Sequence, residues 1–369
     1  MVRAIGLMSG TALDGVDAAC IETDGETIHA TGPAITIPYP PSLRRRLREI
    51  LDHAASLSPD DPDLRAVERD MTHQHVEAVR ALRCDADLVG FHGQTILHRP
   101  EEGRTWQIGD AALLSGETGL PVVHDFRSAD MAAGGEGAPL VPLFHAALTR
   151  RIPRPVAILN IGGVANVSLV GEDGALVACD TGPGNALLDD WALRHTGVPY
   201  DRDGMLARAG QVDHAVLAIL MSDPFFVRAA PKSLDRLAFH QGLAALSRLS
   251  AVDGAATLAA FTVRAVASLP LPFQPRRWLV CGGGRHNPVL MEGLRVHLAA
   301  PVAPVEAVGW NGDALEAQCF GFLAVRSVRG LPLSGPGTTG AAMPVTGGRL
   351  EAGGVSEDVM RVLNRWRAA

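Results

Sequence analysis

A carboxylate followed at once by glycines, after an apolar run, carries the most chemical content in this chain: Asp180-Thr181-Gly182-Pro183-Gly184-Asn185. The preceding run Ala175-Leu176-Val177-Ala178-Cys179 reads as a strand, the Gly-Pro-Gly segment as a turn, and Asn185 as the opening of a helix. Unpaired N–H groups at a helix start favour anions, so a strand end would hold Asp180 rigidly beside an anion site. A base beside a bound anion is what phosphoryl or glycosyl transfer requires. An N-capping aspartate on a tight turn accounts for the same six residues equally well. Other turns must decide.

Three more glycine turns are present. Arg3-Ala4-Ile5-Gly6-Leu7-Met8 ends in Ser9-Gly10-Thr11, and a second strand follows from Val16 to Glu22, so residues 4–22 predict a β-hairpin with a broad turn at 9–15. The second is Gly162-Gly163, and the third is Gly282-Gly283-Gly284 after Trp278-Leu279-Val280-Cys281. Backbone N–H groups exposed by such turns can wrap phosphate oxygens. Lys232 is the sole lysine among 33 basic residues, and a flexible ammonium is hard to replace where a phosphate or carboxylate must be met. The same count excludes a Walker loop. Gly335-Pro336-Gly337-Thr338-Thr339-Gly340 fits a dinucleotide fingerprint, but with no strand before it and no helix after it, it reads as an ordered loop. Asp189-Asp190 reads as first-turn acid favoured by the helix dipole.

The elements that must position these turns repeat. Helical spacing covers Leu43 to Leu51 and Leu64 to Leu82. A buried strand at Asp87-Leu88-Val89-Gly90-Phe91 runs into a glycine-and-histidine loop flanked by His92 and His98, and another lies at Leu120 to Asp125. The second half restarts at an offset of 153, Ala157-Ile158-Leu159-Asn160-Ile161-Gly162-Gly163 matching Ala4 to Gly10, and continues through strands at Asn166–Val170 and Leu176–Cys179. Two α/β halves, each opening on a glycine-tipped hairpin, predict an internal duplication with a cleft.

A length of 369 residues suggests two domains. The net charge of −7 and scattered arginines leave no footprint for nucleic acid. No apolar run approaches the ~18 residues of a membrane span, and the N-terminus does not read as a secretory signal, so the cytoplasm is expected. Five cysteines lying far apart predict reduced, buried thiols. His73 and His75 diverge on a helix, which argues against a metal there.

The motifs resemble the anhydro-N-acetylmuramic acid kinase family. The carriers begin with Gly6-Leu7-Met8-Ser9-Gly10-Thr11-Ala12-Leu13-Asp14-Gly15-Val16-Asp17, Gly90-Phe91-His92-Gly93-Gln94-Thr95-Ile96 with His98-Arg99-Pro100, and Trp106-Gln107-Ile108-Gly109-Asp110. They continue through Asp125-Phe126-Arg127, Gly137-Ala138-Pro139-Leu140, Asn160-Ile161-Gly162-Gly163 and the Asp180 run with Leu188-Asp189-Asp190-Trp191. Pro231-Lys232-Ser233, Cys281-Gly282-Gly283-Gly284 and Gly309-Trp310-Asn311-Gly312-Asp313 complete the set.

The resemblance implies an α/β fold of two duplicated actin-like ATPase (ribonuclease H-like) domains around a nucleotide-binding cleft. The expected divisions are 1–134, 135–345, and 346–369 as a C-terminal helix returning to the first lobe. It implies an enzyme of cell-wall recycling that opens 1,6-anhydro-N-acetylmuramic acid with water and phosphorylates O6 from ATP with Mg²⁺. Asp180 matches the family's catalytic aspartate, and Gly10, Thr11, Ala12, Leu13, Asp14, Gly15, Val16 and Asp17 match its ATP-binding segment. Gly162, Gly163, Gly282, Gly283 and Gly284 are the further nucleotide candidates. Lys232, Arg127 and Arg194 are candidates for the lactyl carboxylate or phosphate, and Glu316 for a second acidic group or simply a first-turn glutamate. Metal ligands are not assigned, with Asp14 and Asp17 candidates for a water-mediated role. A homodimer is the default assembly.

The chain departs from the family pattern at Ala12, where a hydroxyl residue is usual, at Glu136 in place of Gln, and at Leu234-Asp235-Arg236-Leu237 after Lys232-Ser233. Met8 stands where chaperone ATPases of this fold carry an aspartate. Two other readings stay open: a kinase for another amino sugar, with Asp180 deprotonating a hydroxyl directly, and a non-catalytic ATP-driven binding switch.

Overall fold

A computed structural model describes residues 1–10, 12–234 and 239–367. Thr11 and the segment 235–238, including three of the residues that depart from the family pattern, lie outside the described residues. The strands are β1 (Val2–Ser9), β2 (Gly15–Thr23), β3 (Ile28–Pro38), β4 (Leu88–Arg99), β5 (Arg104–Ile108), β6 (Val122–His124), β7 (Val156–Ile161), β8 (Val164–Val170), β9 (Leu176–Pro183), β10 (Arg277–Cys281), β11 (Val302–Pro304) and β12 (Arg349–Glu351). They form one sheet in each of two compact units, Met1–Leu148 with Ala314–Ala369, and Thr149–Asp313.

In the first unit the strand order is β12-β6-β4-β1-β2-β3, with β5 added to β4. Alternation along the strands sorts side chains to two faces. Ile5, Leu7, Val16, Val89 and Phe91 form one core with Leu43 and Leu47 of helix Pro41–His53 and with Leu64, Val67 and Met71 of helix Pro62–Leu82. Asp61 caps the latter, accepting from the Asp63 and Leu64 amides. The opposite pleat carries Gly6 and Gly90, where helix Leu315–Val328 lies directly on the backbone: a Cβ at Gly6 would stand 1.7 Å from the Ala317 carbonyl oxygen, and at Gly90 2.0 Å from that of Phe320. That packing places residues from 314 onward in the first unit. The division therefore falls at 148/149 and 313/314, rather than at 134/135 and 345/346.

The second unit has the order β11-β10-β7-β8-β9. Its directions repeat those of the first: β7-β8-β9 run antiparallel like β1-β2-β3, and β10 lies parallel to β7 as β4 does to β1. The register confirms the repeat, Ala4 pairing with Leu88 and Ala157 with Trp278. Ala157, Leu159, Ile161, Val167, Leu169 and Cys179 face a core with helices Ala186–Thr196, Ala251–Ala267 and Pro288–His297. The duplicated α/β architecture expected from the offset of 153 is present.

Two expectations are corrected. Residues 92–98 are not a loop: β4 continues through Arg99 because its second half pairs antiparallel with β5, and His92 and His98 both lie on it. Cys20 and Cys84, separated by 64 residues, are joined in a disulfide, because β2 and the segment before β4 meet; Cys179, Cys281 and Cys319 are free and buried.

Candidate active site

Asp180 is 7% exposed and lies within β9, not at its end. The strand continues because Gly182 and Pro183 pair with Ala165 and Val164 of β8, and Thr181 is the extra residue of a bulge, its hydroxyl donating to the Ala165 carbonyl at 3.2 Å. Bulges re-aim neighbouring side chains. On the outer side of β9, the Asp180 amide donates to the Lys232 carbonyl at 2.9 Å, and the Leu234 amide donates to Asp180 Oδ2 at 2.8 Å. The carboxylate is thus held by main chain.

Asp180 pairs in register with Asn166, which pairs with Asn160 of β7. Directly paired residues share a face, with Cβ atoms about 5 Å apart, so Asn160, Asn166 and Asp180 form a polar row on the face opposite the core of the second unit. Asn166 Oδ1 is buried with no hydrogen-bond partner among the described residues.

The glycine turns of this unit converge on one place. Asn185 donates from its amide to the Gly162 carbonyl at 2.7 Å and from Nδ2 to the Ile161 carbonyl at 3.1 Å. Gly184 and Ala186 donate to the Gly163 carbonyl at 3.0 and 3.2 Å. These three amides, which the sequence offered to an anion, are committed to the β7–β8 turn instead. Gly282 takes φ +75°, and a Cβ there would lie 2.3 Å from Asn160 Oδ1; one at Gly284 would lie 2.3 Å from Ile161 Cγ2. Gly283 and Gly162 tolerate a Cβ without severe contact. Gly282 and Gly284 thus pack directly on Asn160 and Ile161 of β7.

In the first unit the β1–β2 hairpin is as expected. Its tip turns through Leu13, whose φ is +56° and whose amide donates to the Gly10 carbonyl at 3.1 Å. Leu13 and Val16 are core residues, whereas Ala12 and Asp14 are exposed and Gly10 has open space at its Cβ position. Gly15 packs against the Ile37 backbone, and Asp17 Oδ1 accepts from the Thr36 hydroxyl at 2.6 Å. Tyr39 Oη donates to Ser9 Oγ at 2.8 Å, and Ser9 Oγ to Gln94 Oε1 at 2.6 Å, tying the hairpin to β4.

Arg127 is held on two sides. Nε and Nη2 meet His92 Nε2 at 3.1 and 2.9 Å, and Nη1 donates to the Gly137 carbonyl at 2.6 Å. His92 donates from Nδ1 to the Gly93 carbonyl at 2.8 Å and accepts at Nε2 from Arg127, an arrangement that requires a neutral ring; burial first, then the Arg127 charge, push its pKa well below the ordinary value. Asp130 accepts from the Gly137 amide at 2.7 Å and from the Ser334 and Thr339 hydroxyls. The loop 335–340 is thus an ordered brace for the 135–137 segment, as its lack of flanking elements suggested.

Lys232 is 1% exposed, with Nζ donating to the Phe225 carbonyl at 2.8 Å and 4.2 Å above the Phe225 ring. Its pKa is lowered by burial. The ammonium is turned to the chain and not to an open surface. Arg194 is exposed on the last turn of helix Ala186–Thr196, and Glu316 is exposed on the first turn of helix Leu315–Val328. Among the described residues no three His, Cys, Asp or Glu side chains form a metal-binding group, and no helix is long and apolar enough to cross a membrane.

Sequence reading missed Asn166, Asn185 and the His92–Arg127 pair. Asn185 carried a signal as the residue ending the glycine turn, and Asn166 one only as a polar residue amid an apolar strand.

Comparison with known proteins agrees in length and identity. The family profile described as anhydro-N-acetylmuramic acid kinase matches residues 2–352. A protein of that name from Acidiphilium cryptum (strain JF-5) is 62% identical over 350 residues, covering 95% of this chain and 98% of its own. Another from Gluconobacter oxydans (strain 621H) is 61% identical over 360 residues, covering 95% and 99%. Among solved structures, a ROK family glucokinase from Streptomyces griseus in complex with glucose and AMPPNP aligns over 87% of this chain and 99% of its own, with 14% identity and a TM-score of 0.40, too distant to bear on the site. With its family profile spanning nearly the whole chain and relatives above 60% identity, this chain belongs to the anhydro-N-acetylmuramic acid kinase family.

Proposed function

We propose that this protein is an ATP-dependent kinase of cell-wall recycling. It opens 1,6-anhydro-N-acetylmuramic acid with water and phosphorylates O6, giving N-acetylmuramic acid 6-phosphate and ADP. The observation that carries the reading is a buried Asp180 held by main-chain hydrogen bonds, on a sheet with side-chain-free glycine turns, in a chain of this family.

Asp180 takes a proton from a water attacking C1 of the sugar. As the new C1–O bond forms, the C1–O6 bond breaks and its electron pair stays on O6. O6 then attacks the γ-phosphorus in line, the bond to the β–γ bridging oxygen breaks, and ADP leaves. One base serves both bond changes, because opening the bridge creates the phosphoryl acceptor. The Leu234 amide on Oδ2 fixes the direction of the carboxylate.

The hairpin segment Gly10 to Asp17 is the ATP-binding segment of this proposal, with Thr11 included. Gly162, Gly163 and Gly282 to Gly284 let phosphate oxygens approach backbone amides. Arg127, oriented by His92 and Gly137, meets the lactyl carboxylate with a planar fork. Arg194 is a second anion contact and Glu316 a second acidic group in the same proposal, while Lys232 acts through the chain it holds. In this proposal Mg²⁺ arrives on the nucleotide and keeps most of its waters. Asp14 and Asp17 would hold it through water, and when bound it neutralises charge on the phosphates. A cytoplasmic homodimer completes the proposal, in keeping with the commonest assembly of soluble enzymes.

Release of ADP over a panel of sugars tests this. Wild-type protein should release ADP with the anhydro sugar and not with glucose or N-acetylglucosamine. Asp180→Asn should bind ATP and sugar normally and turn over roughly 10³-fold more slowly. Sugar-independent ADP release, or full activity in Asp180→Asn, refutes the proposal.

A further inference from the structure

We infer that Asn166 is a catalytic residue of this site: its Oδ1 is the second acceptor for the attacking water, beside the Asp180 carboxylate. The inference rests on the function proposed above and adds a residue to it. Three observations carry it.

Asn166 on β8 lies directly opposite Asp180 on β9, at the bulge that makes Thr181 the extra residue. Its strand neighbour Val167 belongs to the core of the second unit, as does Cys179 beside Asp180, and Ala165 on its other side is fully buried. Asn166 and Asp180 therefore point away from that core together. Finally, Asn166 Oδ1 is buried and meets no donor among the described residues. A buried carbonyl oxygen of this kind is costly unless a ligand donates to it.

Two acceptors side by side call for a ligand with two hydrogens to give. A sugar hydroxyl has one O–H. Water has two, and a water donating one to Asp180 and the other to Asn166 Oδ1 has its oxygen lone pairs directed away from both. That orientation is the one attack on an anomeric carbon needs. Proton transfer to Asp180 then leaves the hydroxide-like oxygen still steered by the amide. Asn166 takes no proton itself; it fixes the water against rotation.

The test compares Asn166→Leu, which keeps shape and removes the acceptor, with Asn166→Ala, which leaves space for an additional water where the amide stood. The readouts are kcat, the dissociation constant of the anhydro sugar by calorimetry, and thermal midpoint. Asn166→Leu should lose about 100-fold in kcat with sugar and ATP affinity changed by less than about twofold. Asn166→Ala should keep more activity than Asn166→Leu, an order that a packing role would reverse because the smaller residue leaves the larger cavity.

Unchanged kcat in both variants overturns the inference. So does sugar affinity weakened about tenfold at constant kcat, which would put the acetamido N–H of the sugar on Oδ1 instead. If the leucine variant does not fold, the alanine variant decides alone: activity equal to wild type refutes, and loss of kcat at constant affinity supports. Wild-type turnover in H₂¹⁸O separates this from failure of the broader reading. Product labelled at C1 with unaffected variants sinks only the role of Asn166; unlabelled C1 sinks both.

Discussion

His75 sits fully inside the first unit, its ring 4.9 Å from that of Phe91 and its Nδ1 donating to the Met71 carbonyl at 2.9 Å. Burial lowers its pKa from 6.5 to about 4. The unfolded chain therefore binds a proton that the folded one refuses. The contribution of His75 is fully present above its unfolded value and is lost as pH falls from about 6.5 towards 4, at up to ~1.4 kcal/mol per pH unit. His98, also lowered to about 4, adds to the same window. Urea unfolding of His75→Met should show a stability slope between pH 6.5 and 4 shallower by about that amount than wild type; an identical slope would contradict the assignment. At this scale Asp180 was legible, since a carboxylate closing an apolar run is a rare pattern. Asn166 was not, because one polar residue in a strand normally marks a solvent face. The His92–Arg127 pair joins residues 35 apart through tertiary contact alone, which no spacing rule reports.

Strand β9 depends on a segment that is not itself a strand. Lys232 anchors it, with Nζ on the Phe225 carbonyl, while its own carbonyl and the Leu234 amide bracket Asp180. Lys232→Met keeps the length of the side chain and removes the charged one of two donors to the Phe225 carbonyl, which retains the Arg228 amide at 3.2 Å. Stability should fall by about 1–3 kcal/mol, and kcat should fall more than sugar affinity, because Asp180 loses its alignment and not its charge. In folded wild-type protein an amine reagent should modify the N-terminus and spare Lys232, readable by intact mass. Rapid labelling of Lys232 would show that the ammonium is not buried as described. The elements around it were legible where apolar periodicity was strong, as in Leu64 to Leu82. They were misread at Asp180 and at residues 92–98, where a glycine inside a paired strand was taken for a turn. Pairing with β8 and β5 outweighed local propensity there.

Across the whole molecule, the duplication was legible because Ala4 to Gly10 and Ala157 to Gly163 repeat at a fixed offset, and both sheets keep one strand order. That residues from 314 onward, and not only from 346, lie in the first unit was not, since Gly6 and Gly90 make room for helix Leu315–Val328 and neither glycine says so in isolation. The family assignment and the buried Asp180 lead to one claim: water, not the sugar alone, supplies the oxygen that ends on C1. Turnover of the anhydro sugar with ATP in H₂¹⁸O, followed by mass spectrometry of the phosphorylated product, measures this directly. One labelled oxygen at C1 and none in the phosphate is the predicted result. Label in released inorganic phosphate, or a product with unlabelled C1, would contradict it.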